Sequence, residues 1–196
     1  MTTAITLLDG GMGQELIRRS SAAKPHPLWS LQVMMDEPEL VANVHRDFCL
    51  AGARVICLNT YSVTRHRLQM GSALPDLPEL LKHAGDLARA GIQASGLSGI
   101  DIVASLPPLT ASYLQQSPLS PEQMKDEYKE LMELQRYHVD GFLAETLSSI
   151  AEGQAVLLAA QEADTGVHLE FTVQDEDGTR LRSGELLEDA LRVCVP

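Results

Sequence analysis

The chain has 196 residues, 44% of them apolar, and a formal net charge of −12. The apolar content supports one substantial core and excludes an intrinsically disordered chain, and the acidic balance argues against a nucleic-acid surface. No apolar run approaches the roughly 20 residues of a membrane span, and the N-terminal segment lacks signal-peptide features, so we expect a cytoplasmic protein without a membrane partner. Three cysteines without close spacing argue against a disulfide framework.

The first predicted element is a short buried strand that ends at an acid and two glycines. Residues 5–8 form an apolar run, and Asp9, Gly10 and Gly11 follow directly. Glycine supplies the φ freedom that a sharp turn into a helix needs, and it leaves the backbone amides free to donate. This place, at the C-terminal end of a strand, is where α/β proteins bind ligands. The alternative is a tight turn in which Asp9 only caps the next helix.

Helices and strands then alternate along the chain. The predicted helices are 12–19, 37–50, 77–94, 120–137, 151–163 and 184–193, and the further predicted strands are 54–58, 100–105, 139–144 and 168–173. Five strand–helix repeats indicate a parallel α/β protein, either a doubly wound sheet or part of a (β/α) barrel. The sequence has no GxGxxG or P-loop motif, which weakens the nucleotide-binding forms of the doubly wound sheet.

Polar side chains also follow two later strands. They are Asn59, Thr60 and Tyr61 after the second predicted strand, and Glu145 and Thr146 at the end of the fourth. Because parallel strands end at one edge of a sheet, we expect these residues to lie near Asp9. The only tryptophan, Trp29, follows a polar loop and either closes over a pocket or plugs the surface of the protein.

Short motifs occur in a characteristic order from one end of the chain to the other. They comprise residues 8–13, 28–30, 45–48 with 51–53, 59–61, 105–108 with 112–113, 139–146, and 171–173 with 178–185. No single motif is specific, but their order resembles the homocysteine S-methyltransferase family. This family includes the S-methylmethionine and betaine enzymes and the homocysteine module of methionine synthase.

The resemblance implies a (β/α)8 TIM barrel that transfers a methyl group to the sulfur of homocysteine and gives methionine. It also implies a zinc ion held by three cysteine thiolates, because zinc deprotonates the substrate thiol while leaving it nucleophilic. The methyl donor is expected to be an onium or a similarly activated group, since the transfer is an in-line displacement.

The resemblance also implies roles for individual residues. Asp9 and Glu145 would hold the homocysteine ammonium, and the backbone amides of Gly10 and Gly11 would hold its carboxylate. The walls of the same homocysteine-binding site would include Thr146, Asn59, Thr60 and Tyr61. Trp29 would cover that site. The alternative for Glu145 is a buried ion pair with a structural role.

The zinc ligands of the family have no counterpart in this sequence. The family carries one ligand in an Asn-Cys pair after the sixth strand and two in a Gly-Gly-Cys-Cys motif at the eighth, and neither motif occurs here. Cys194 is not a substitute, because it lies about ten residues past residues 183–185, at the end of the last predicted helix. We therefore expect residues 1–196 to form a single C-terminally incomplete domain of about five βα units, without a catalytic residue or a metal ligand of its own.

Two further hypotheses follow from this partial barrel. The chain could be a non-catalytic amino-acid-binding or scaffold protein that uses Asp9 and Glu145 to hold its ligand. Unpaired strand edges also favour an oligomer or association with a complementary fragment.

Overall fold

Four parallel strands form the sheet in the computed structural model, which describes residues 5–21, 28–70 and 76–194. The strands are β1 (Val55–Cys57), β2 (Asp101–Leu106), β3 (Gly141–Leu147) and β4 (His168–Phe171). Their order in the sheet follows their order in the chain, and each neighbouring pair is parallel. Each connection must therefore cross back over the sheet, as in βαβ units.

Eight helices occur within these described segments, and four of them lie in the connections between strands. They are α1 (Met12–Arg19), α2 (Trp29–Asp36), α3 (Pro38–Ala51), α4 (Arg65–Leu68), α5 (Leu77–Ser95), α6 (Pro121–Gln135), α7 (Ile150–Glu162) and α8 (Leu187–Cys194). Within the same segments, no helix combines the length and the apolar composition needed to cross a membrane.

The prediction of a buried strand at residues 5–8 is wrong. Only Leu8 pairs with β1, through a single parallel bridge to Val55, and the carbonyl of Leu7 accepts a hydrogen bond from the amide of Arg54 (2.8 Å). The side chain of Ile5 is 95% exposed and that of Leu7 is 53% exposed. Burial therefore does not stabilise an extended strand here. The other four predicted strands are confirmed, and β3 extends through Glu145 and Thr146.

Two helix predictions also need correction. α2 falls in a segment for which no helix is predicted; its N-cap residue, Leu28, makes no side-chain cap, and buried Leu31, Val33 and Met34 leave no clear polar face. The last helix begins at Leu187 instead of Gly184, since residues before it form antiparallel bridges. α1 begins and ends as predicted. Part of the predicted loop at residues 20–27 lies outside the described residues.

The two faces of the sheet differ because side chains alternate along each strand. On one face, here called the covered face, Ile56, Ala104, Phe142 and Ala144 belong to the hydrophobic core beneath the helices. The opposite face, here called the open face, carries Val55, Cys57, Val103, Ser105, Leu143, Glu145 and Glu170, none of which belongs to that core. Functional groups on the open face are thus separated from the core that stabilises the sheet.

Two glycines allow close contacts that position the first turn. A Cβ atom on Gly91 of α5 would lie against the carbonyl oxygen of Ala42 and 2.7 Å from Cβ of His45, so α3 and α5 approach closely there. A Cβ atom on Gly10 would lie 2.8 Å from the Phe48 ring of α3. The position of the turn at Gly10 is therefore set by α3.

Candidate functional site

A cleft of about 630 Å³ lies at the C-terminal ends of the strands. The structure brings all but one of the predicted site residues into its lining, namely Asp9, Gly10, Gly11, Trp29, Asn59, Tyr61, Glu145 and Thr146. Thr60 does not line the cleft: it is buried, and its hydroxyl donates to the carbonyl of Ser105 (3.4 Å). Residues from four separate segments of the chain thus line one cleft.

Asp9 and Glu145 are held by neighbouring groups on the open face. The amide of Cys57 donates to Oδ2 of Asp9 (2.9 Å), and the hydroxyl of Ser105 donates to Oε1 of Glu145 (2.6 Å). The thiol of Cys57 lies 3.8 Å from the same Glu145 oxygen. β1 therefore lies between the two carboxylates and contacts both.

The two acids are poised to gain from a positively charged ligand. Burial raises the pKa of Asp9 to about 7, and the charge of Glu145 adds to this effect although the Cys57 amide opposes it. Burial also raises the pKa of Glu145, and Glu170 contributes in the same direction. No described lysine, arginine or histidine lines the cleft. A cationic group placed here would supply the missing countercharge.

The backbone is strained on the same side of the molecule. Thr146 has φ of 62°, an unfavourable value for a β-branched residue, and the pairing of β3 with β4 shifts register between Ala144 and Leu147. Tyr113, in the loop after β2, also has a positive φ of 64°. Both residues line the cleft. Such strain is concentrated at functional sites more often than elsewhere.

The turn after Leu8 presents backbone amides to the cleft. Gly10 and Gly11 precede α1, and the carbonyl of Gly11 accepts the first helical hydrogen bonds from Gln14 and Glu15. No hydrogen bond from the amides of Gly10 and Gly11 to other described residues is present. These donors are available to an anionic group of a ligand.

Sequence reasoning missed several residues of the cleft. They include Ser30, Cys57, Ser62, Ser112, Tyr113 and Glu170. Period-two alternation in β1 and β4 is a signal that could have identified Cys57 and Glu170, because both point to the same face as Glu145. Ser112 and Tyr113 lie in a loop, where periodicity gives no information.

The described residues do not fit a metal site made of three thiolates. Within the described ranges, no group of three His, Cys, Asp or Glu side chains could hold a metal ion. Cys57 is the only one of the three cysteines that lines the cleft, and Cys49 and Cys194 are buried elsewhere. Burial raises the pKa of the Cys57 thiol well above its usual range, and the neighbouring carboxylates add to this, which disfavours the thiolate that a metal needs.

Comparison with known proteins gives a consistent set of relatives. A family model described as homocysteine S-methyltransferase matches residues 6–195. The chain is 24% identical over 218 residues to homocysteine S-methyltransferase 2 of Arabidopsis thaliana, which covers 98% of this chain and 65% of the relative. It is 31% identical over 88 residues to selenocysteine Se-methyltransferase of Brassica oleracea var. italica, which covers 44% of this chain and 25% of that relative.

The fold is similar to that of a solved structure. The metallated form of the homocysteine methyltransferase MmuM from Escherichia coli superposes with a TM-score of 0.83 at 23% identity, covering 98% of this chain and 70% of that one. At this identity the likeness describes the fold alone. The chain spans 65% of the length of the Arabidopsis relative.

Proposed function

Because the chain belongs to the homocysteine S-methyltransferase family, we propose that it supplies the homocysteine-binding part of an enzyme that methylates the homocysteine thiol. The methyl group would come from an activated onium donor, and methionine would be the product. One observation carries this proposal: Asp9 and Glu145 face the same cleft, and no described basic side chain lines it. The alternative of a non-catalytic scaffold is not favoured, since the family match extends over residues 6–195.

The proposed binding mode uses both charges of the amino acid. The ammonium of homocysteine lies between the carboxylates of Asp9 and Glu145, and its carboxylate accepts hydrogen bonds from the amides of Gly10 and Gly11. The ligand stabilises the ionised form of Asp9, whose pKa is about 7 in the free protein. Affinity should therefore fall as the pH decreases below about 7, because a proton then competes with the ammonium.

We further propose that the sheet is part of a (β/α)8 barrel and that residues 1–196 belong to one domain. Strand order that follows chain order, and a hydrophobic core on only one face of the sheet, support a barrel over a doubly wound sheet. Zinc, which the family resemblance implies, would supply an activated thiolate. The described residues do not fit the three-thiolate ligand set of that zinc ion.

Calorimetric titration of this chain with L-homocysteine under reducing conditions tests the proposed site. We expect Asp9→Asn and Glu145→Gln each to weaken binding by about tenfold or more, because each removes a charge-assisted hydrogen bond. Glu133→Gln is the matched control, since Glu133 is an exposed carboxylate on α6. Its affinity should equal that of the unmodified chain. No binding by the folded chain, or equal affinities for all variants, would contradict the proposal.

We also propose that this chain associates through the open face with a second copy or with a complementary polypeptide. A cavity of about 530 Å³ over this face is lined in part by Leu8, Val55, Val103 and Leu143, which favours contact with another apolar surface. Light scattering should show an average molecular mass that rises above that of the monomer as the protein concentration increases. A monomer at every concentration would exclude self-association. Addition of candidate polypeptides would then test association with a complementary chain.

A cytoplasmic location is the remaining proposal. The three cysteines are unpaired, as expected in a reducing compartment. Cell fractionation with antibodies against the native protein tests it, and recovery in a secreted or membrane fraction would contradict it.

A further inference from the structure

A buried serine of β2 contacts one of the two acids of the cleft. In the pairing of β2 with β3, Ser105 is opposite Leu143, and Glu145 is the next residue of β3 on the same face. The hydroxyl of Ser105 donates to Oε1 of Glu145 at 2.6 Å, a distance typical of a hydrogen bond to an ionised oxygen. Ser105 is only 2% exposed, so solvent has little access to this hydrogen bond.

The two oxygen atoms of the Glu145 carboxylate have different surroundings. Oε1 accepts from Ser105 and lies 3.8 Å from the thiol of Cys57. Oε2 accepts no hydrogen bond from any residue that the structure describes. An ionised carboxylate has acceptor capacity on both oxygens, so the carboxylate is held through one oxygen while the other is available to a donor in the cleft.

We propose that Ser105 is a positioning residue for substrate binding, whose hydroxyl orients Glu145 and keeps it ionised so that Oε2 accepts a hydrogen bond from the ammonium of the amino acid. The inference rests on the proposed function, in which Asp9 and Glu145 bind the ammonium of homocysteine. Ser105 does not line the cleft. It therefore acts through Glu145 and not by direct contact with the ligand.

Glu145 needs such a donor because its neighbours are acidic. The titratable groups that interact with it are Asp9 before α1, the Cys57 thiol of β1 and Glu170 of β4, and none of them can carry a positive charge. Burial raises the pKa of Glu145, the hydrogen bond from Ser105 opposes this effect, and the charge of Glu170 adds to it. Loss of the hydroxyl should therefore favour the protonated carboxyl, which cannot pair with an ammonium by charge.

A carbon NMR titration of the free chain measures the effect of Ser105 on Glu145 directly. Glutamate is isotopically labelled at its side-chain carboxyl carbon, and Glu145→Gln identifies the signal. We expect Ser105→Ala to raise the pKa of Glu145 and Ser105→Thr, which keeps a hydroxyl, to restore it. Ser148→Ala is the matched control and should leave this pKa unchanged. Ser148 is 1% exposed and directly follows β3, and its hydroxyl has no partner among the described residues.

Calorimetric titration with L-homocysteine under reducing conditions gives the second readout. At about pH 5.5, Ser105→Ala should weaken binding by about fivefold or more, because binding must then release a proton from Glu145. At about pH 8 the carboxyl is ionised in both proteins, and the loss should be about twofold or less. A serine that only packs within the sheet would cause the same loss at both pH values.

Thermal unfolding of each variant verifies that it is folded. If Ser105→Ala does not fold, Ser105→Cys takes its place, because it keeps the size of the side chain and replaces the hydroxyl by a weak donor. An unchanged pKa of Glu145, or a loss of affinity that is equal at both pH values, would overturn the role of Ser105. Failure of the proposed function gives a different result: homocysteine does not bind, which overturns the ligand, although Ser105→Ala still raises the pKa of Glu145.

Discussion

The covered and open faces of the sheet come from the same strands but meet different requirements. In β3, Phe142 and Ala144 pack into the hydrophobic core, whereas Leu143 and Glu145 alternate with them and line the cavities of the open face. The core side chains contribute hydrophobic burial, at about 25 cal/mol per Å² of apolar surface. The open face instead carries groups whose ionised forms are destabilised by their surroundings. Stability and ligand binding are thus assigned to opposite faces of one sheet.

The unfavourable features are concentrated around the cleft. They are the raised pKa of Asp9, the left-handed backbone of Thr146 and Tyr113, and the buried guanidinium of Arg67. Helices of the covered side show the opposite character, since α6 and α7 both begin with capping boxes, at Ser120 and Ser149. The difference indicates that the cleft retains groups that folding alone would not select.

One buried group on the covered side departs from this pattern. Both ring nitrogens of His45 in α3 are buried without hydrogen-bond partners, and burial lowers the pKa of the imidazole to about 3. The folded protein therefore holds His45 neutral. The free energy of unfolding should therefore decrease as the pH falls below about 6.5, because the unfolded chain then binds a proton that the folded chain does not.

The largest effect is expected from Gly91→Ala on the covered side. The added Cβ atom would meet the carbonyl oxygen of Ala42 and force α3 and α5 apart. We expect the free energy of unfolding to decrease by about 3 kcal/mol, measured by urea denaturation. Gly166→Ala is the control, since a Cβ atom there meets no atom within 4 Å. Equal stabilities for the two variants would show that the helices do not limit this position.

An intermediate effect of opposite sign is expected from Asp9→Asn on the open face. The pKa of Asp9 is about 7 in the folded chain and 3.8 for an unperturbed aspartate, so the folded state binds more protons between these values. The stability of the unmodified chain should therefore decline as the pH rises from about 4 to 7. Asp9→Asn should remove part of this decline and raise the free energy of unfolding by about 2 kcal/mol at pH 8.

Urea denaturation across this pH range measures the effect. Glu145 and Glu152 also have raised pKa values, so a smaller slope should persist in the variant. A slope identical to that of the unmodified chain would show that Asp9 is not destabilised by burial.

The smallest effect is expected at Thr146. Thr146→Gly relieves the positive φ, whereas Thr146→Ala removes the side chain but keeps the strain. We expect the glycine variant to be more stable than the alanine variant by about 1 kcal/mol in urea denaturation. A more stable alanine variant would indicate that the backbone at Thr146 adopts an ordinary strand conformation in solution.

The helices with strong local signals could be predicted from the sequence. The predicted bounds of α1 match the observed ones, and α6 begins directly after the N-cap serine, Ser120, that the sequence indicates. α2 could not be predicted in the same way, because it has neither a side-chain cap nor a clear amphipathic pattern. Its stability depends on burial of Leu31 and Met34 in the tertiary core.

The candidate site was predictable where strand ends carry polar residues. Asp9 and Glu145 face one cleft as that rule predicts, although their roles in binding stay predictions. Thr60 points elsewhere because adjacent residues after a strand cannot all face the same side. The buried position of Arg67 has no local signal, since an exposed arginine, Arg65, occurs two residues earlier on the same short helix.

The contact between Gly10 and Phe48 limits which segments of such a protein can be exchanged as independent modules. Gly10 lies in the first turn of the chain, but the ring that limits its position belongs to α3, more than 30 residues later. The amides at this turn are therefore placed by the preceding segment and by α3 together. A single strand–helix module moved into another protein would not carry its ligand site with it, and recombination between family members should preserve function only when both segments come from the same parent.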